Sequence, residues 1–195
     1  MATVITAAAL LLLLGYTIII YNGLVGLKHS IQKAWSNIEV MLKQRHDELP
    51  KLVETCRQHM QFERSTLEQV MRARSTLESA RERGDVKSVG AAETAVRAGF
   101  GSIVATAEAY PELRADESIR QLLSRITGLE NAISDRREFY NEYVNANNIR
   151  IEQFPDVLVA RIFGFKSASL LEFTAAELAD VNMRELFAGG AAPAA

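Results

Sequence analysis

Charge is missing from the first 27 residues of the chain, which contain no Asp, Glu, Lys, Arg or His. Residues 2–21 are almost continuously apolar, with five leucines at positions 10–14 and three isoleucines at positions 18–20. A helix needs about 20 such residues to cross about 30 Å of hydrocarbon, and Tyr16 and Tyr21 suit the membrane interfaces. We therefore predict a transmembrane anchor over residues 1–27.

The anchor lacks the features of a cleaved signal peptide, because no charge precedes the apolar run and no small-x-small motif follows it. A retained anchor is the preferred interpretation. Lys28, Lys33, Lys43 and Arg45 follow the run. The positive-inside rule therefore predicts a single-pass protein with its N-terminus outside and its C-terminal body in the cytoplasm.

Residues typical of catalytic and metal sites are scarce. The single cysteine, Cys56, cannot form an internal disulfide and continues an apolar stripe, which favours a small core residue. His29, His46 and His59 have no i, i+3 or i, i+4 spacing that would place two ligands on one helical face. No serine has Gly-x-Ser-x-Gly surroundings, and Gly99-Phe100-Gly101 lacks the third glycine of a nucleotide loop. We predict a non-enzymatic protein without metal or cofactor.

A strong charge excess is also absent. The chain has 22 basic and 24 acidic residues and a formal net charge of −2, and its basic residues are scattered. Nucleic-acid binding needs a concentrated basic surface. A nucleic-acid partner is therefore not expected.

Prolines number only four, glycines eleven, and runs of β-branched residues are few. This composition predicts an all-α protein. Apolar residues at spacings of three and four predict long helices over residues 31–83, 86–110 and 119–154, with a kink or break in the first at Pro50. A short helix within 154–166 would close at Gly164. We expect an up-and-down antiparallel bundle of three to four long helices over 28–166 and a partly disordered extension over 167–195.

Polar residues interrupt the apolar stripes of the first and third long helices. Arg45 and Arg136 lie where an apolar residue is expected, and an unpaired charge inside a bundle is costly. The set could form a small polar site between helices, or a buried ion-pair and amide network that fixes helix register, which is the preferred interpretation. The predicted network comprises Arg45, Glu130, Asn131, Arg136, Arg137, Tyr140 and Asn141.

The segment 154–166 is rich in aromatic and aliphatic residues. Its apolar side chains could close the bundle, which is preferred, or could contact lipid or a neighbouring subunit. The residues concerned are Phe154, Val157, Leu158, Ile162, Phe163 and Phe165.

Several short sequence blocks between residues 21 and 166 carry a family resemblance. The blocks are Tyr21-Asn22-Gly23-Leu24-Val25, Ala34-Trp35-Ser36-Asn37-Ile38, Arg45-His46-Asp47-Glu48-Leu49-Pro50-Lys51-Leu52-Val53, Ala109-Tyr110-Pro111-Glu112-Leu113, Glu130-Asn131, Arg136-Arg137-Glu138-Phe139-Tyr140-Asn141, and Phe154-Pro155 to Gly164-Phe165-Lys166. In this order, the chain resembles the LemA family of bacterial membrane-anchored helical proteins. The resemblance implies a helical bundle on one N-terminal anchor in the bacterial inner (cytoplasmic) membrane, with no established catalytic activity to transfer. It extends to a magnetosome protein of that family, which implies a membrane-organising role.

Two functions remain open from the sequence. The first is a scaffold that self-associates in the lipid bilayer, helped by a glycine-bearing anchor, and organises or remodels membrane. The second is a monomeric adaptor that binds a membrane protein partner, such as a protease or an envelope-stress component. An enzyme with a polar site around Arg137 and Tyr140 is a third class, and it is disfavoured.

Overall fold

The computed structural model describes residues 1–59 and 62–172, and these contain helices and no strand. The elements are α1 (Ala2–Arg57), α2 (Arg64–Glu82), α3 (Val86–Ala109), α4 (Pro111–Ala115), α5 (Glu117–Glu152) and α6 (Asp156–Phe163). The all-α prediction and the N-terminal apolar helix followed by a helical body are confirmed.

The bundle consists of α1, α2, α3 and α5, which run alternately up and down. The most extensive helix–helix contacts are between α1 and α5 and between α2 and α3. Ile38, Leu42 and Leu49 of α1 pack in one core with Ile126 and Ile133 of α5 and with residues of α2 and α3. The apolar stripes read from the sequence thus lie on the buried faces of these helices.

Local signals set the helix ends. The carboxylate of Asp85 accepts from the backbone N–H groups of Lys87 and Ser88 and caps α3, and Asp116 caps α5 by accepting from the N–H of Ile119. Gly84 and Gly164 have φ of 65° and 73°, a backbone conformation that glycine adopts without strain. Gly164 ends α6 as predicted.

The first long helix differs from its prediction in two places. It does not break at Pro50, because α1 continues to Arg57. It also ends sooner than predicted, since a turn that contains buried Phe62 separates α1 from α2. No proline or glycine marks this turn, and the apolar stripe keeps its register across it, so the sequence pattern did not reveal it.

Residues 166–172, which we call the strap, follow α6 without helical structure and lie along α5. Leu171 of the strap is 1% exposed and belongs to the main core. The part of the predicted extension that the structure describes is therefore packed. The predicted disorder farther along falls on 173–195, outside the described residues.

Candidate functional site

Charged side chains from three helices meet in the core. The guanidinium of Arg45 on α1 donates to both carboxylate oxygens of Glu93 on α3, and its Nη1 donates to Oε1 of Glu130 on α5 at 2.5 Å. The side chains of Arg45 and Glu93 are 0% and 1% exposed. Nε of Arg97 lies 3.2 Å from Oε2 of Glu130. Two cations and two carboxylates thus form one compact group, which we call the charge cluster.

Burial sets the electrostatics of the charge cluster. Burial alone would lower the pKa of Arg45, but the carboxylates of Glu93 and Glu130 outweigh it, and the net pKa is raised. Burial also raises the pKa of Glu130, against the opposing effect of Arg45. Arg45 is closed to solvent, and its two carboxylate partners lie on α3 and α5. This geometry is suited to fixing the positions of the three helices relative to one another.

The residues of the predicted polar network do not lie together in the structure. Arg45 and Glu130 meet in the charge cluster. Asn131 is exposed, and Arg137 is half-buried. The prediction that Arg136 occupies an apolar position is wrong: its side chain is exposed and lines a shallow groove of about 200 Å³. Its position, three residues after Ile133, lies at the edge of the stripe, where a long side chain reaches solvent.

Two members of the charge cluster were missed by the sequence interpretation. Glu93 lies four residues after Val89 and three before Val96, both of them buried, so its place on an apolar stripe was a readable signal. Arg97 follows it by one helical turn on the same side.

Polar side chains on one face of α5 hold the strap. The amide of Asn141 accepts from the N–H of Leu171 at 2.9 Å and donates to its carbonyl at 3.1 Å. The amide of Asn148 does the same with Ala168, at 2.9 and 3.0 Å. The hydroxyl of Tyr140 donates to the carbonyl of Ser169 at 2.9 Å. Tyr140 and Asn141, predicted to join the polar network, therefore contact the strap.

One further amide and one glycine complete this arrangement. Nδ2 of Asn147 donates to the carbonyl of Lys166 at 3.2 Å. A Cβ at Gly90 of α3 would lie 2.1 Å from the carbonyl oxygen of Glu172, so only glycine lets the end of the strap approach α3. We call the surface of α5 and α3 that holds the strap the strap groove.

A second apolar cluster lies at the end of the predicted anchor. Ile20 and Leu24 of α1 pack against Val159 and Ala160 of α6. The ring of Tyr21 contacts Phe163 and Phe165 at centroid distances of 4.8 and 5.8 Å. Nε of Arg150 donates to Oδ2 of Asp156 at 2.6 Å, and its guanidinium lies directly over Gly23. These contacts fix α6 against α1.

The packing of α6 against α1 covers only part of the predicted apolar surface of 154–166. Val157 and Phe165 are half-buried. Four residues of this segment are more than half exposed to solvent: Phe154 (76%), Leu158 (54%), Ile162 (77%) and Phe163 (55%). We call them the exit surface, because α6 packs against α1 where the anchor ends.

Among the residues that the structure describes, no three His, Cys, Asp or Glu side chains lie close enough together to bind a metal ion. In the same residues α1 is the one helix long and apolar enough to cross a membrane, and the apolar part of it is almost entirely exposed.

Comparison with known proteins identifies a family and several relatives. The LemA family model matches residues 34–184. The chain is 26% identical to magnetosome protein MamQ 2 of Paramagnetospirillum magneticum, over 78% of this chain and 64% of that protein. It is 24% identical to magnetosome protein MamQ of Magnetospirillum gryphiswaldense, over 75% and 62%. The chain thus spans less than two thirds of the length of these curated relatives. Because the family model covers most of its length, the chain belongs to the LemA family.

Proposed function

We propose that this protein is a non-enzymatic, membrane-anchored helical scaffold that self-associates and organises or remodels membrane. The observation that carries the proposal is the continuity of α1, which leads from the apolar anchor into the bundle core as one helix. The names of the relatives support it, since both are magnetosome proteins.

We place the protein in the bacterial inner (cytoplasmic) membrane, with its N-terminus outside and its bundle in the cytoplasm. Lys28 and Lys33, both exposed on α1, follow the apolar run and support this orientation. Cysteine labelling by a membrane-impermeant maleimide tests it. In a Cys56→Ala background, Glu117→Cys should react only after the cells are opened; reaction in intact cells would reverse the topology.

The exit surface is proposed to lie in the membrane interface. Taking the leucines at 10–14 as the bilayer centre, about 15 Å of helix at 1.5 Å per residue ends the hydrocarbon near residue 22. This is the level at which Ile20 and Leu24 contact α6. The exposed side chains of α6 would therefore meet lipid and add apolar contact beside the anchor.

Depth measurement tests this contact in the full-length chain reconstituted in nanodiscs. A nitroxide at Ile162→Cys should be accessible to dissolved oxygen and protected from an aqueous nickel reagent. The matched position Thr127→Cys, exposed on α5 in the bundle, should show the opposite. An aqueous signature at Ile162 would remove the lipid contact from the proposal.

Particle mass tests self-association. Full-length protein in nanodiscs or mild detergent should give a discrete mass of several chains. Gly15, where an added Cβ would meet nothing within 4 Å, leaves room for close helix approach within the anchor. Gly15→Leu should lower the mass, whereas Gly26→Leu, outside the apolar run and equally open, should not. A single-chain particle at every concentration would overturn the scaffold and favour the monomeric adaptor that binds a membrane protein partner.

A further inference from the structure

The hydrogen bonds of the strap groove are made to the main chain of the strap. Asn141 and Asn148 each pair with both the N–H and the carbonyl of one strap residue, as a neighbouring β-strand would. Their spacing also fits. Seven residues of helix advance about 10.5 Å, and the three residues from Ala168 to Leu171 advance about 10 Å only if the chain is extended. The groove is therefore matched to an extended peptide.

Two features give the strap groove depth and selectivity. Leu171 inserts into the core, so the peptide needs a large aliphatic side chain there. Gly90 leaves room for the backbone at Glu172. If the strap left, the amides of Asn141 and Asn148 would lose their partners, and the pocket of Leu171 would be exposed. The groove consequently requires an occupant.

We propose that the strap groove is a peptide-docking site and that its occupant, when copies meet on a membrane, is the strap of a second copy. That segment is the one sequence whose fit to the groove is established, residue by residue, in this fold. Gly164, which is left-handed and has open space where a Cβ would lie, precedes the strap and offers a hinge. Exchange of an identical element adds no new interface chemistry, and anchoring two copies in one bilayer raises their effective concentration.

This exchange rests on the proposed self-association and specifies its contact. It is tested with two differently tagged full-length copies, both Cys56→Ala, expressed together. One carries Asn145→Cys, exposed on α5 between the two clamping amides, and the other carries Ser169→Cys on the strap. A short bismaleimide should link the two tags. Replacing Asn145→Cys with Thr127→Cys, exposed farther along α5, should abolish the link.

The outcomes separate the two proposals. An oligomeric mass without a link between the two tags overturns strap exchange and leaves self-association standing. A single-chain mass overturns both.

A second pair of variants tests whether the link depends on docking in the strap groove. Gly90→Ala places a methyl group against the carbonyl of Glu172 and should eliminate the link between tags. Gly101→Ala, on the same helix with nothing within 4 Å, should leave it unchanged. A link that persists in Gly90→Ala overturns strap exchange through this groove.

Discussion

At the scale of single residues, Arg45 is the side chain whose removal we expect to lower the stability of the fold most. It is fully buried, and both of its carboxylate partners come from other helices. Removing it would leave Glu93 and Glu130 close together in the core with one cation, Arg97, beside Glu130. An uncompensated buried charge is far more costly than an absent ion pair.

Replacement of Arg45 by methionine should therefore lower the free energy of unfolding by about 3–5 kcal/mol. The control is Arg72→Met, which removes an exposed i, i+4 pair with Glu68 and should cost about 0.5 kcal/mol or less. Thermal or denaturant unfolding followed by circular dichroism measures both.

The double variant Arg45→Met/Glu93→Met distinguishes a charge penalty from a packing defect. It should recover a large part of the lost stability, because only Glu130 then remains and Arg97 still pairs with it. No recovery would show that Arg45 acts through packing instead of through its charge.

The residue scale also shows where sequence interpretation succeeds. Arg45 was recognisable because it is a charge on an apolar stripe, and a buried charge requires a partner. Glu130 was included in the predicted network as a polar residue of the third long helix. The apolar stripe does not identify the partner of Arg45, because the ion pair with Glu93 depends on where α3 lies in the folded bundle. Asn141 and Asn148 gave a weaker signal, because an amide on a helix surface is ordinary until an extended segment lies against it.

At the scale of elements, α1 passes through Pro50 because another helix supplies what proline removes. Pro50 has no N–H, so the carbonyl of His46, four residues earlier, loses its helical donor. Nε of Arg74 on α2 donates to that carbonyl at 2.9 Å. The expected break is thus prevented by a tertiary hydrogen bond, which local sequence cannot reveal.

A double-mutant cycle tests this compensation. Arg74→Met should destabilise the protein by about 0.5–1.5 kcal/mol, because the part-buried carbonyl of His46 would lose its donor. In a Pro50→Ala background, where the N–H of Ala satisfies the carbonyl, the same change should cost distinctly less. Equal costs in the two backgrounds would mean that Arg74 does not compensate for the proline.

The attachment of α6 to α1 depends on the space at Gly23. Gly23→Ala would place a methyl group 2.5 Å from the guanidinium of Arg150 and displace it from Asp156. We expect faster amide hydrogen exchange in α6 than in the wild type. Gly26→Ala, with open space around it, should leave α6 protected. Unchanged exchange in Gly23→Ala would show that the ion pair does not hold α6.

At the scale of the whole molecule, the buried thiol of Cys56 reports global unfolding. Burial, with a smaller contribution from Asp116, raises the pKa of the Cys56 thiol from 9.0 to about 12. Iodoacetamide at pH 9 should therefore label Cys56 slowly in the folded protein and readily in guanidinium, where the unfolded thiol is half ionised. Rapid native labelling would contradict the burial.

The same pKa shift predicts a pH dependence. As pH rises from 9 towards 12, the unfolded chain loses the thiol proton while the folded chain retains it, so the stability contributed by the neutral thiol is lost. Cys56→Ala should lack this part of the decline. Identical pH profiles for the two proteins over this range would exclude the linkage.

The helical architecture was predictable because its stripes are long and regular, whereas the strap was not. The strap has no periodicity, and its position follows from the groove that receives it. The α2 and α3 helices, at 19 and 24 residues, are shorter than α5 at 36 residues. The strap covers part of α5 towards its C-terminal end, near where α3 begins.

The unbroken course of α1 has a mechanical consequence. At 1.5 Å per residue, the helix extends about 50 Å beyond residue 22. With the anchor placed in the bilayer as proposed, the helix would act as a lever, and a change of about 10° in anchor tilt, within the range that bilayer thickness imposes, would swing its far end by about 9 Å. Bilayer thickness and bundle orientation would then be coupled through one continuous helix.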